Sequence, residues 1–444
     1  MSGPWTPERA ERHLHSLELF GMRFGLDRMR RMMTALGSPE RAFHSIHVVG
    51  TNGKTSTTRM TAAILEGHGL RTGCYLSPHL ISHAERVRVD GQDVDSQAFA
   101  TAVARAAWAA EHVNRTLADG DHVTQFELLT AAAFWELARR EVDVVVVEAG
   151  LGGRYDATNV IDSRIAVLTN VGLEHTRWLG PTVRDIATEK LAVLGDGATL
   201  VIGEQLDEEV LALARSAAAE RGAHVRMARR DRSDVEPAAR GSFQRTNFLL
   251  ARAAAEAYLA AAGVEPREEA VQAAAATTLV PGRFDIVSRN PLTVLDGAHN
   301  PAAVAALVHS LPDLLQGRPL GLVLGVLEDK DAAKMLAEVL ALCRRAWFTA
   351  PPSSRALSPA ALQSLARQLG FEQAVCEPQP PRALAAARDW ALQEQSGAAV
   401  LATGSVYLVG DLLAHASELG LHSVREPSAS QHETALDLQG RRGT

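Results

Sequence analysis

The sequence predicts an α/β protein in two parts: an N-terminal P-loop-type domain built on a parallel sheet, then a smaller Rossmann-like α/β domain. Three observations carry that expectation. Short apolar runs alternate with longer, alanine-rich amphipathic stretches through the first half of the chain, the pattern of strands joined by crossover helices. The stretch His47-Val48-Val49-Gly50-Thr51-Asn52-Gly53-Lys54-Thr55-Ser56-Thr57 runs from a β-branched segment through two glycines into a helical pattern, as a phosphate loop does. A second alternation starts at Leu292, after Pro281-Gly282 has broken the chain. At 444 residues the chain exceeds one typical core. The expected division is 1–286, 287–425, and a polar, disordered tail at 426–444.

Taken in order, strands are expected at 45–49, 72–76, 142–148, 164–169 and 198–202, with helices at 55–68, 96–118, 124–140, 182–193 and 206–221. The run Val142 to Glu148 reads as a strand buried on both faces. Its acidic last residue stands at the carboxyl end, where open α/β sheets bind ligands. Residues 222–246 read as an irregular crossing, and helix returns at 246–262 and 266–278. A linker is expected near 284–291, then strands at 292–295, 319–326, 345–349, 373–376 and 397–402.

Composition narrows the partners. Hydrophobic content of 46% supports large cores, and a net charge of −7 gives no electrostatic footprint for DNA or an anionic membrane. The local cluster Arg226, Arg229, Arg230 and Arg232 is interrupted by Asp231 and reads as a solvated loop. Cys74, Cys343 and Cys376 are far apart and lack metal-ligand spacing, which fits a reducing compartment. An early charged segment replaces the apolar core of a signal peptide, and no apolar run approaches membrane-spanning length. Small-molecule partners and a cytoplasmic location are therefore expected.

The phosphate loop comes first among the chemical motifs. Its turn aims backbone N–H groups and a helix N-terminus at an anion. Lys54 adds a cation for β- and γ-phosphate oxygens, and Thr55 or Ser56 a hydroxyl for a phosphate-bound Mg²⁺. The strict pattern asks for glycine where Val48 stands. In Glu148-Ala149-Gly150-Leu151-Gly152-Gly153-Arg154-Tyr155-Asp156-Ala157-Thr158-Asn159, three glycines let the backbone pass close to a ligand while Glu148 offers a hard oxygen. His175, in Gly172-Leu173-Glu174-His175-Thr176, reads alone as a packed core histidine; beside Glu148 it becomes a second metal ligand or a phosphate contact. Glu189-Lys190 reads by composition as a solvated helix face. Asp296, at a strand end before the helix start Asn300-Pro301, suits a ribose hydroxyl or a simple cap. Arg283, in Pro281-Gly282-Arg283-Phe284, adds a cation at the hinge between the two halves.

These motifs, together with Ser77-Pro78-His79-Leu80, Glu85-Arg86-Val87, Trp178-Leu179-Gly180 and Thr403-Gly404-Ser405-Val406-Tyr407, occur in one order between about residues 18 and 412. The ordered set resembles the folylpolyglutamate synthase/dihydrofolate synthase family of the Mur ligase superfamily. The resemblance implies an ATP-dependent amide ligase that joins L-glutamate to a pterin or folate carboxylate, with ATP as co-substrate, two Mg²⁺ sites and a monomeric state. It implies that Thr51, Asn52, Gly53, Lys54, Thr55, Ser56, Asn247, Arg283 and Asp296 hold ATP. Mg²⁺ is implied at Ser77, Glu148 and His175, and at a carbamylated Lys190, which sets aside the solvated reading of that lysine. Catalysis is implied at Lys54, Lys190 and His175. The pterin falls to Thr124, Gln125, Phe126, Glu127, Tyr155, Asp156 and Ala157, and glutamate to His299 and Ser405. Thr55 stands where the family usually has glycine, and Glu174 where it usually has aspartate. A muramyl-peptide ligase acting on a UDP-sugar is the near alternative, and a nucleotide-binding scaffold the distant one.

Overall fold

The structure is a computed structural model and describes residues 4–17, 24–229, 235–394 and 397–422. The expected tail at 426–444 and Arg230 and Arg232 of the arginine cluster lie outside those residues. The chain forms two compact units, Met1–Val235 with Phe243–Ala274, and Glu236–Ser242 with Ala275–Thr444.

Among the described residues, unit 1 is organised by an eight-stranded sheet. Its strands are β1 (His44–Val49), β2 (Thr72–Tyr75), β3 (Val87–Val89), β4 (Gln92–Asp93), β5 (Val144–Glu148), β6 (Ser163–Leu168), β7 (Thr199–Gly203) and β8 (His224–Ala228). They lie in the order β4-β3-β2-β5-β1-β6-β7-β8. β1 is parallel to both β5 and β6, in a register that sets Val48 beside Glu148 and Val167. β2, β7 and β8 continue the parallel part, while β3 and β4 turn back as an antiparallel edge. All of β5 is buried, as expected for a central strand covered on both faces.

The helices of unit 1 are α1 (Pro7–Ser16), α2 (Asp27–Ala35), α3 (Lys54–Gly67), α4 (Ser96–Asn114), α5 (Gln125–Arg139), α6 (Thr176–Leu179), α7 (Val183–Leu191) and α8 (Glu208–Glu220), then α9 (Ser242–Ala261) and α10 (Glu268–Thr277), which begins in unit 1 and ends just past its last residue, Ala274. Residues of α1, α2, α4 and α5 share one core with β2 and β5; α7 and α8 share another with β6 and β7. The N-terminal helices escape the sequence pattern because each is short and rich in charged residues. Thr6 caps α1, with Pro7 opening it, and Ala10 and Leu14 anchor it.

Unit 2 holds β9 (Asp285–Arg289), β10 (Leu292–Leu295), β11 (Leu320–Leu324), β12 (Cys343–Phe348), β13 (Ala374–Cys376) and β14 (Ala399–Thr403), in the order β13-β12-β11-β14-β10-β9. All are parallel except β9, which pairs antiparallel with β10. Two expectations are corrected. The irregular crossing at 222–246 contains β8, and the linker at 284–291 is β9, so the expected boundary after residue 286 falls inside a strand. Both are edge strands of mixed burial, β8 exposing His224 and Val225 and β9 exposing Arg289, and both lack the apolar run that marks a central strand. Among the described residues no helix is long and apolar enough to cross a membrane.

Because β2, β5, β1 and β6 are parallel neighbours, the loops at 50–53, 76–82, 149–156 and 169–175 all leave from one edge of the sheet. That edge is where chemistry is expected in open α/β sheets.

Candidate active site

The phosphate loop begins one strand end later than the strict motif places it. Val48 is fully buried in the sheet and paired with Glu148, so it belongs to β1, and the turn is made by Gly50 to Gly53. A Cβ on Gly50 would lie 1.8 Å from Thr169 Oγ1, and one on Gly53 would lie 2.3 Å from Asn247 Oδ1. Gly53 has φ 82°, and α3 follows it without a side-chain cap. The opening N–H groups of α3 therefore face outward at a dipole end suited to an anion. The loop is shaped from β6: Asn52 N–H donates to Asn170 Oδ1 at 2.7 Å, and the Thr169 hydroxyl to Asn52 O at 2.6 Å. Gly172 N–H donates to Thr51 Oγ1 at 3.0 Å.

Two amines crowd this loop. Lys54 Nζ donates to Gly50 O and Thr51 O, each at 3.1 Å, and Lys190 Nζ donates to the same Gly50 O at 2.8 Å. Lys190 is 4% exposed, so its composition-based reading as a solvated face does not hold. The reason is local: α7 turns Ile186, Ala187, Lys190 and Leu191 inward, while Glu189 faces out to Arg154 at 2.8 Å. Burial first, and the Lys54 charge second, bring the Lys190 pKa down to about 7.

Glu148, at the end of β5 beside β1, is 1% exposed. The Thr55 hydroxyl lies 2.9 Å from both of its oxygens, and Ser77 N–H donates to Oε2 at 3.1 Å. Thr55, more than Ser56, is thus the loop hydroxyl at the acid. His175 precedes α6 with φ 52° and a side chain 35% exposed, its Nε2 3.8 Å from Glu174 Oε1. It is not a packed core histidine. Among the described residues no three of His, Cys, Asp and Glu gather as a self-sufficient metal site. One buried carboxylate flanked by hydroxyl-bearing residues is still a donor set for Mg²⁺, a hard cation that takes most of its oxygens from phosphate and water.

The segments expected at the pterin divide by role. Thr124 caps α5 in a reciprocal box with Glu127, and Glu127 also receives Arg28 Nε at 3.1 and 3.2 Å. Gln125 Nε2 donates to Leu14 O at 2.7 Å. Asp156 is buried and accepts Leu151 N–H at 2.7 Å and Thr158 N–H at 3.0 Å; burial raises its pKa. Ala157 is buried beside it. Phe126 lies against Gly150, where a Cβ would come within 2.5 Å of the ring, and Tyr155 is exposed with Phe24 edge-on at 5.5 Å.

In unit 2, Asp296 Oδ2 accepts Phe284 N–H and Oδ1 accepts Ala298 N–H, both at 2.7 Å. Burial raises its pKa against the pull of Arg283. Arg283 Nη1 fills the space a Cβ on Gly297 would take. Gly404 N–H donates to Ala298 O at 3.0 Å, which joins the loops of His299 and Ser405. His299 Nδ1 lies 2.8 Å from Gly297 O, and Ser405 caps the helix Val406–Ala414.

Residues 48–234 match the Mur ligase middle domain family, and 282–406 the Mur ligase glutamate ligase domain family. The dihydrofolate synthase/folylpolyglutamate synthase of Escherichia coli is 33% identical over 347 residues, 76% of this chain and 80% of the relative. The chain belongs to the folylpolyglutamate synthase/dihydrofolate synthase family. Mycobacterium tuberculosis folylpolyglutamate synthase complexed with ADP has a TM-score of 0.86 at 30% identity, covering 95% of this chain and 99% of that one. Escherichia coli FolC in complex with DHPP and ADP has a TM-score of 0.81 at 28% identity, covering 93% and 98%. As a member of this family the chain is an ATP-dependent ligase, and the muramyl-peptide ligases are its superfamily, not its family.

Within this folylpolyglutamate synthase-type fold, unit 1 brings together Thr51 to Ser56, Asn247, Ser77, Glu148 and Lys190, while Arg283, Asp296, His299 and Ser405 gather in unit 2. Sequence reasoning missed Thr169 and Asn170, which shape the phosphate loop, and Gln244, whose Oε1 accepts Asn247 Nδ2–H at 3.0 Å. Their position at the end of β6 was the available signal for the first two, since that strand borders β1.

Proposed function

We propose that the chain joins L-glutamate to a pterin-linked carboxylate, dihydropteroate or a reduced folate, using ATP and an acyl-phosphate intermediate. The observation that carries this reading is the meeting of Lys54, Lys190, Thr55 and Glu148 around the uncapped start of α3. A carboxylate is a poor acyl donor because its leaving group would be oxide. Transfer of the γ-phosphoryl group makes phosphate the leaving group, and the glutamate amine then forms the amide while the C–O bond to phosphate breaks.

Each residue has a part. The first N–H groups of α3 bind phosphate oxygens, and Lys54 exchanges its two carbonyl partners for them. Asn247 belongs to the same ATP-binding set, and the family resemblance assigns Arg283 and Asp296 to ATP as well. Glu148 with Ser77, Thr55 and His175 would hold Mg²⁺, which neutralises charge on the phosphoryl group. A Lys190 pKa near 7 leaves part of the amine neutral at physiological pH. Its lone pair can attack CO₂, forming an N–C bond and releasing a proton. The resulting carbamate would replace repulsion toward Lys54 with attraction and supply oxygens for a second Mg²⁺. Phe126 and Tyr155 face the pterin, while Thr124, Gln125, Glu127, Asp156 and Ala157 shape its walls. His299 and Ser405 take the incoming glutamate. The reading carries with it a monomer acting in the cytoplasm.

The test is phosphate release by purified protein given ATP, glutamate and each pterin acceptor in turn. Release that needs both a pterin and glutamate supports the reading. A requirement for a UDP-sugar would make it a muramyl-type ligase, and no turnover with any acceptor would make it a binding protein.

A further inference from the structure

Glu85-Arg86-Val87 plays no part in the scheme above, yet its first two side chains organise the loop that carries Ser77. Three consecutive N–H groups converge on the Glu85 carboxylate: Leu80 at 3.0 Å, Ile81 at 2.9 Å and Ser82 at 2.8 Å. Such a nest fixes the far end of a loop that has no ladder of its own there. Arg86 fixes the near end. Its Nε donates to His79 Nδ1 at 3.0 Å, its Nη1 to Ser77 Oγ at 3.2 Å, and its carbonyl accepts Leu76 N–H at 2.8 Å. The His79 ring packs on His83, with centroids 4.1 Å apart.

Arg86 is 8% exposed, and the side-chain acceptors Ser77 Oγ and His79 Nδ1 are neutral. Burying a guanidinium against neutral acceptors carries a desolvation cost that a carboxylate partner would normally offset. Its fork geometry, by contrast, suits holding two groups in one fixed relation. The two groups it holds are the side chains of Ser77 and His79, and Ser77 N–H is itself bonded to Glu148. The result is a continuous line from Arg86 through Ser77 and Glu148 to Thr55 of the phosphate loop.

We propose that Arg86 is a positioning residue that sets the Ser77 hydroxyl at the Glu148 edge, and so governs how much a divalent cation strengthens nucleotide binding. Glu85 supports it by holding the loop closed. The inference rests on the reading of Ser77 and Glu148 as the cation's protein ligands. Lysine at 86 keeps the charge but offers one point donor in place of a fork, so it cannot hold Ser77 and His79 together.

The experiment is calorimetric titration of the full chain with ADP, in Mg²⁺ and in EDTA, for the natural protein, Arg86→Lys, Ser77→Ala and the double variant. The expected result is an Mg²⁺-dependent gain in ADP affinity that drops about tenfold in Arg86→Lys, with affinity in EDTA unmoved. In the Ser77→Ala background, Arg86→Lys should remove nothing further, because coupled residues are not additive. Equal weakening with and without Mg²⁺, or additive losses in the double variant, would assign Arg86 a general structural role and overturn the inference. No Mg²⁺ gain in the natural protein would overturn the underlying reading of Ser77 and Glu148 as well. Should Arg86→Lys fail to fold, Glu85→Gln carries the same test, with the same two outcomes, since it loosens the same loop from its other end.

Discussion

The two units present the same kind of edge, the carboxyl ends of parallel strands, and build it in opposite ways. In unit 1 the charged groups are pressed together: two lysines share one carbonyl, and a buried glutamate is met by a hydroxyl and a backbone N–H from different loops. In unit 2 the buried acid is already satisfied, with one backbone N–H on each oxygen of Asp296. The first arrangement is held under electrostatic load that a polyphosphate would relieve. The second is relaxed and pre-set, as suits orienting a ligand more than stabilising a charge that develops during reaction. The difference predicts that changes in unit 1 strike kcat and changes in unit 2 strike KM.

The largest effect should come from the amines. Lys54→Ala and Lys190→Ala should each lower kcat by about 10³-fold, on the scale of lost preorganised electrostatic groups. A short carboxylic acid added to the Lys190→Ala enzyme should return part of the activity, and full activity without it would remove Lys190 from the chemistry. Glu148→Gln comes next, with about 10²-fold lower kcat and a higher Mg²⁺ requirement in steady-state assays. Asp296→Asn should leave kcat nearly intact while raising the KM for ATP about tenfold, the scale of one charge-assisted hydrogen bond. A kcat loss in unit 2 as deep as that in unit 1 would break the comparison.

A smaller effect concerns stability in acid. His47 lies fully buried in β1, its Nε2 2.8 Å from Thr158 Oγ1, and burial brings its pKa down to about 3. The unfolded chain takes up a proton near pH 6.5, whereas the folded chain resists it until about pH 3. Stability therefore falls as pH drops through that window, by a few kcal/mol at its lower end. Calorimetry at pH 7 and pH 5 should show unit 1 losing stability in acid, with a shallower loss in His47→Gln. The smallest effect should be Thr55→Ser, which keeps the hydroxyl on Glu148 and should change kcat less than threefold, at about 0.6 kcal/mol or less. Thr55→Gly, the residue usual in the family, should cost more than Thr55→Ser.

Local chemistry was legible in the sequence and long-range chemistry was not. The phosphate turn, the buried strand ending in Glu148 and the helix start after Asp296 are each written in a few adjacent residues. Lys190 was misread on composition alone because its helix offers a Glu-Lys pair, and only packing decides which of the two turns inward. Asn170 shapes Asn52 from 118 positions away, a relation that no spacing rule reveals. β8 and β9 were missed because an edge strand exposes too many of its residues to show an apolar run. For Lys190 it is the resemblance, and not its composition, that sets aside the solvated reading, and the structure buries the side chain.

The central claim is that the crowded edge of unit 1 activates a carboxylate by phosphorylation. Acceptor labelled with ¹⁸O in its carboxylate, turned over with ATP and glutamate, tests it by mass spectrometry of the released phosphate. One ¹⁸O atom should appear in each phosphate formed from fully labelled acceptor. Phosphate free of ¹⁸O, with the label retained in the amide product or lost elsewhere, would contradict the account.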